Sequence, residues 1–110
     1  MAYSEEEYKI AFPSYLHALH KIAPKASFVW ATITPVRADE KPGPTNARIE
    51  DRNSIAQSFV TDAGIQLDDQ NALMIHHADL YEDNVHFNAA GAIIQGQQAA
   101  QSIRSSMAKR

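Results

Sequence analysis

The string Asp83-Asn84-Val85-His86-Phe87-Asn88 sets a carboxylate three residues ahead of an imidazole, in a stretch with neither helical nor strand periodicity. In a loop, side chains at this spacing meet. The carboxylate accepts the imidazole Nδ1–H, fixes the tautomer and leaves Nε2 free as a general base. Chemically that is two parts of a Ser-His-Asp apparatus for nucleophilic catalysis. Asp-x-x-His spacing also arises by chance, as an aspartate turn before a histidine packed at a helix start. Here it falls between an apolar segment and a capped terminal helix, which strengthens the catalytic reading, although spacing and setting by themselves still favour the turn.

Other reactive residue types form weaker patterns. His76-His77-Ala78-Asp79 with Asp83 and His86 offers nitrogen and oxygen ligands, but adjacent histidines point apart and no His-x-x-x-His pair sits on a clear helix. No metal and no cofactor is expected. His17 and His20 fall off the main stripe of the first helix and read as solvated. The eight serines (4, 14, 27, 54, 58, 102, 105 and 106) lack any Gly-x-Ser-x-Gly elbow. Ser54 and Ser58 read as packing or surface residues of a helix, and Trp30 as core. No glycine-rich phosphate loop occurs.

The elements that would position Asp83 and His86 follow from local signals. Ser4 with Glu5, Glu6 and Glu7 makes a helix start with a capping box. Tyr8, Ala11, Phe12, Tyr15, Leu16, Leu19 and Ile22 continue it at spacings of three and four, with a kink or break expected at Pro13 and an end at Pro24. The run from Ser27 to Ile33 is a strand covered on both faces, stopped by Thr34-Pro35. A loop over 37–46 contains Pro42-Gly43-Pro44. A second helix, Ala47 to Ala63, starts at a Thr45 or Asn46 cap and stops at Gly64. Ile65-Gln66-Leu67 forms a short strand, and Asn71 to Tyr81 leans to helix. The last helix, Ala89 to Met107, is capped by Asn88, with Ile93, Ile94, Ala100 and Ile103 inward. Gly91 and Gly96 call for a closely packed neighbour there.

This α-β-α-β-α order predicts an α/β layered domain with a parallel sheet. Two strands leave unpaired N–H and C=O groups on the outer edges, so the sheet needs completion by another chain or a second copy. The 110 residues suffice for one domain and not two. With Lys+Arg 10 against Asp+Glu 13, the chain lacks the basic face that nucleic-acid binding by counterion release requires. The absence of cysteine excludes disulfides, thiolate zinc sites and cysteine nucleophiles. No apolar run approaches a membrane span, and the acidic start is unlike a secretory signal, which leaves the cytoplasm as the default compartment.

The Asp83-x-x-His86 box with its Phe87-Asn88-x-x-Gly91 continuation resembles the C-terminal half of an SGNH (GDSL-type) hydrolase. Val29-Trp30-Ala31-Thr32-Ile33-Thr34-Pro35-Val36, Arg52-Asn53-Ser54-Ile55-Ala56 and Gly64-Ile65-Gln66-Leu67-Asp68 fit in order, from about Glu7 to Ile103. The resemblance implies a partial three-layer α/β/α sandwich of flavodoxin-like type and a carboxylic ester hydrolase acting on small acyl esters or acylated carbohydrates. It makes His86 the base and Asp83 its orienting acid. The family's Gly-Asp-Ser nucleophile box is absent, and so is the Gly-x-Asn oxyanion box: the four glycines precede Pro-Thr, Ile-Gln, Ala-Ile and Gln-Gln. The chain is therefore expected to be inactive alone, its serine lying in residues not present here. The alternative is a non-catalytic module of the same half-fold that buries its open edge and its glycines in a homo-oligomer.

Overall fold

The computed structural model describes residues 4–40 and 43–109. Residues 1–3 and Pro42 of the Pro-Gly-Pro loop lie outside the described residues. The chain forms α1 (Glu5–Ile22), β1 (Val29–Ala31), α2 (Asn46–Asp62), β2 (Gln66–Asp68), α3 (Gln70–Met74), a 3-10 turn (Ala78–Leu80) and α4 (Ala89–Ala108).

Local chemistry sets most of the boundaries. Ser4 Oγ accepts the Glu7 N–H at 3.1 Å and donates to the Glu7 carboxylate at 3.1 Å, closing the first turn of α1. Thr45, not Asn46, caps α2, accepting the Arg48 N–H at 3.3 Å. The Asn46 amide instead ties down Val36, bonding its N–H at 2.9 Å and its C=O at 3.0 Å. Asn88 caps α4 through the Gly91 N–H at 3.0 Å. Gly64 stands at φ +72°, where a Cβ is strained, and ends the α2 turn as expected. Pro13 does not break α1, which continues to Ile22. Pro13 and Lys9 lie on the exposed side of the helix, where the Lys9 carbonyl that proline deprives of a helix partner costs least.

The two strands pair in parallel with Trp30 opposite Leu67, flanked by Val29–Gln66 and Ala31–Asp68. Further bonds from Gln66 N–H to Phe28 O (3.3 Å) and Thr32 N–H to Asp68 O (3.0 Å) extend the ladder slightly. The expected strand from Ser27 to Ile33 is trimmed to Val29–Ala31 because β2 offers only three residues for pairing. Alternation then sorts the faces. Phe28, Trp30, Ile65 and Leu67 join Phe12, Leu16, Ala56 and Val60 in one core with α1 and α2. The other face carries Val29 and Ala31 beside two polar side chains, Gln66 and Asp68. Asp68, 3% exposed, accepts from Gln98 Nε2 of α4 at 2.8 Å and from Gln70 Nε2 at 3.0 Å. Gln66 Oε1 accepts from Lys109 Nζ just past α4 at 2.8 Å. The architecture is thus a partial α/β fold, with helices on both faces of a two-stranded parallel sheet.

Two expectations fail, each because tertiary packing overrides the local pattern. α4 turns Gly91, Ser102 and Ser106 inward, while Ile93 and Ile103 lie outside and Ile94 and Ala100 are half-buried. Its inward side meets Asp68 and Gln66 through Gln98 and the following Lys109, and the stripe of Ile93 and Ile103 points to solvent. Gly91 does meet a close neighbour, but Gly96 meets none within 4 Å. The helix expected from Asn71 to Tyr81 splits into α3, capped by Asp69, and the 3-10 turn. Met74, fully buried, pins the end of α3, and the chain turns at His77.

Candidate functional site

Asp83 and His86 lie in the loop between the 3-10 turn and α4, and the structure brings them together. His86 Nδ1 is 2.9 Å from Asp83 Oδ2 and 3.1 Å from Oδ1. Asp83 Oδ1 also accepts the N–H of Val85 at 2.8 Å and of His86 at 2.7 Å. With Nδ1 donating to the carboxylate, Nε2 carries the lone pair and has no protein partner among the described residues. The side chains of His86 and Asp83 are 71% and 56% exposed, so the pair stands open to solvent.

The loop is held at its neck. Glu82 N–H donates to His86 O at 2.8 Å, Asn88 N–H to Leu80 O at 2.8 Å, and Tyr81 bridges to Phe87 with rings 4.2 Å apart. Gly91 of α4 lies under Phe87, where an added Cβ would sit 2.8 Å from the Phe87 Cβ. Gly91→Ala should therefore displace Phe87 and the His86 next to it. The expected cost is about 1–3 kcal/mol, an overpacking penalty, read as a lower urea midpoint at unchanged m-value.

Asn84 and Tyr81 are positioning residues that the sequence did not disclose. Asn84 Oδ1 accepts the Ala38 N–H at 2.8 Å and its Nδ2 donates to Ala38 O at 3.0 Å, while its own C=O accepts the Arg37 N–H at 2.9 Å. Tyr81 OH donates to Pro35 O. Together they fasten the 81–88 loop to the segment that leaves β1, outside the carboxyl ends of the strands, where open α/β sheets build their sites.

The Val85 and His86 backbone N–H groups, followed by the His86 ring, pull the Asp83 carboxyl down to about 2. A depressed carboxylate contributes stability that is present above its unfolded value of 3.8 and is lost as pH falls through about 2. Asp83 is thus ionised wherever an imidazole base would work. A carbon-detected NMR titration should find its carboxyl midpoint near 2, and the loop should loosen only below pH 4 or so. A midpoint near 3.8 would contradict the turn geometry.

The remaining candidates stay apart. Among the described residues no three His, Asp or Glu side chains are gathered as a metal site would require. His76 is exposed, and His77 caps the 3-10 turn without a side-chain bond. His17 is exposed, and His20, exposed as well, donates from Nδ1 to Leu16 O at 2.9 Å and lays its ring 5.1 Å from Phe28. Ser54 and Ser58 lie exposed on α2, while Ser102 and Ser106 are buried under α4. A concavity of about 570 Å³ lies elsewhere, lined by Tyr8, Phe12, Tyr15, Trp30 and Arg52. No residue of the 81–88 loop contributes to it.

No helix among the described residues is long and apolar enough to cross a membrane. No family model matches the sequence, and no curated protein does. Among solved structures, the esterase domain of the ORF1 protein from the zebrafish ZfL2-1 retrotransposon superposes over 94% of this chain with a TM-score of 0.80, at 16% identity. The chain spans 61% of that domain's length. It therefore shares the fold of an esterase domain while covering about three-fifths of one.

Proposed function

We propose that this chain carries the base half of an SGNH-type ester-hydrolase site, the C-terminal part of such a domain, completed by a serine outside these residues. The observation that carries the reading is the Asp83–His86 pair: a carboxylate held by two backbone N–H groups and the imidazole Nδ1, with Nε2 open. Three features support it. The fold is that of an esterase domain of which the chain spans 61%. The outer edge of β1 has no strand partner among the described residues. The pair stands open to solvent, as a site awaiting its cover would.

In the completed site His86 Nε2 takes the proton from the serine hydroxyl as its oxygen attacks the ester carbonyl. The same proton passes to the departing alkoxide, leaving an acyl-enzyme and the alcohol. Water then repeats the sequence, with His86 again receiving and returning a proton, and releases the acid. Asp83 holds the tautomer and stabilises the imidazolium. Substrates are small acyl esters or acylated carbohydrates.

A serine-directed fluorophosphonate tests the reading. The isolated chain should take up no label on any of its eight serines and hydrolyse p-nitrophenyl acetate no faster than buffer. The longer polypeptide should be labelled on a serine outside residues 1–110, and His86→Ala should abolish that labelling. Labelling with turnover in the isolated chain, or labelling indifferent to His86, would overturn it.

A further inference from the structure

Val36 is the buried midpoint of the segment that leaves β1. It is 7% exposed and lies in backbone that belongs to no helix or strand, so its N–H and C=O need partners from elsewhere. One side chain supplies both. Asn46 Oδ1 accepts the Val36 N–H at 2.9 Å, and Asn46 Nδ2 donates to the Val36 C=O at 3.0 Å. A side-chain amide offers a donor and an acceptor side by side, and here it stands in for a neighbouring strand.

The fasteners of the Asp83–His86 loop flank this residue. Tyr81 OH donates to the C=O of Pro35, and the Arg37 N–H donates to Asn84 O at 2.9 Å. Ala38, next along, is clasped by the Asn84 amide at 2.8 and 3.0 Å. Asn84 itself lies between Asp83 and His86 in the chain. The clasp on Val36 thus sets the place of the backbone to which the loop is tied. Asn46 is released for this task because Thr45 caps α2. Its own N–H is held by Asp39 Oδ1 at 2.8 Å, which steadies the α2 end of the link.

We propose that Asn46 is a positioning residue for the Asp83–His86 pair. It bonds to neither, and acts by holding residues 35–38 in register with their loop. The inference deepens the esterase reading: its kinetic consequence rests on that reading, and its structural consequence does not.

Hydrogen exchange at the Arg37 and Ala38 amides, both bonded to Asn84, reads the seam between segment and loop without any catalysis. Asn46→Ala should speed exchange at both at least about tenfold, because two hydrogen bonds that hold the segment are lost. Asn46→Asp keeps the acceptor for the Val36 N–H and loses the donor to its C=O, and should give a smaller change in the same direction. Thr45→Ala is the control. It removes the helix cap one residue earlier, so it should lower the thermal midpoint and leave exchange at the seam within about twofold of the parent. In the longer polypeptide Asn46→Ala should lower kcat for ester hydrolysis about 10- to 100-fold with little change in KM, the signature of a displaced base. Thr45→Ala should leave both constants near the parent values. Parent-like exchange at Arg37 and Ala38 in Asn46→Ala, or a kcat loss as large in Thr45→Ala, would overturn the proposal. If His86→Ala left kcat intact, the esterase reading would fail, while faster exchange in Asn46→Ala would still support Asn46 as the anchor of the loop.

Discussion

On the proposed reading, in which His86 is the base of an ester-hydrolase site completed outside these residues, His86→Ala is expected to lower kcat for ester hydrolysis by about 10²–10⁴-fold, the usual contribution of a positioned general base. KM should change little, because His86 acts on the proton of the nucleophile rather than on the bound ester. The experiment is clean in one respect: the His86 side chain is 71% exposed and, among the described residues, bonds only to Asp83, so its removal leaves packing intact. Circular dichroism and the thermal midpoint should match the parent. Asp83→Asn should cost nearly as much activity, through a different route. An amide at position 83 no longer demands an Nδ1–H donor, so the imidazole is free to present Nε2–H to the serine, the wrong tautomer for a base. The Asp83 carboxyl, held at about 2, stays ionised across the working range, so Asp83 does not titrate in the pH–rate profile. A variant lacking His86 that retained full kcat would remove the residue from the mechanism.

Phe12→Ala is expected to cost about 3–5 kcal/mol, the range for truncating a fully packed phenylalanine. Phe12 is 3% exposed and joins α1 to both of its neighbours. Its ring stacks on Phe59 of α2 with centroids 5.4 Å apart and leans on Trp30 of β1 at 5.0 Å. Tyr8 and Tyr15, one turn away on either side, present edges at 5.5 and 6.3 Å. Truncation leaves a cavity that these large rings cannot close, and α1 loses its main attachment to the sheet. Domains of this size hold about 5–15 kcal/mol in total, so the variant should be substantially unfolded at moderate temperature. Urea titration followed by Trp30 fluorescence reads the effect, since Trp30 sits against Phe12. Phe12→Leu, which keeps most of the volume, should cost markedly less. A loss below about 1 kcal/mol for alanine would mean that α1 is not anchored through this residue.

How far the sequence discloses this molecule depends on the range of the forces involved. Ser4, Thr45, Asn88 and Gly64 mark helix ends through contacts within three or four residues, and all four act where local chemistry places them. The Asp83–His86 contact is equally local and is legible from its spacing. The orientation of α4 is not, because it depends on Asp68 and Gln66, two polar side chains on a face that also carries Val29 and Ala31, which draw Gln98 and Lys109 to them. Hydrophobic periodicity assumes an apolar sheet and therefore turns the helix the wrong way round. The role of Asn84 is hidden for a similar reason: the backbone it fastens lies 46 residues earlier in the chain, at Ala38. The region from Asn71 to Tyr81 misled for want of any strong breaker; burial of Met74, a tertiary effect, decides where its helix stops.

The account turns on which nitrogen of His86 carries the proton, and nitrogen-15 NMR of the neutral imidazole in this chain reads that directly. The expected spectrum shows the proton on Nδ1, shared with Asp83, and an unprotonated Nε2. Asp83→Asn should shift the ring towards the Nε2–H form. A neutral His86 protonated at Nε2 in the parent chain, with no coupling to position 83, would contradict the assignment of Asp83 and His86 as an orienting acid and its base.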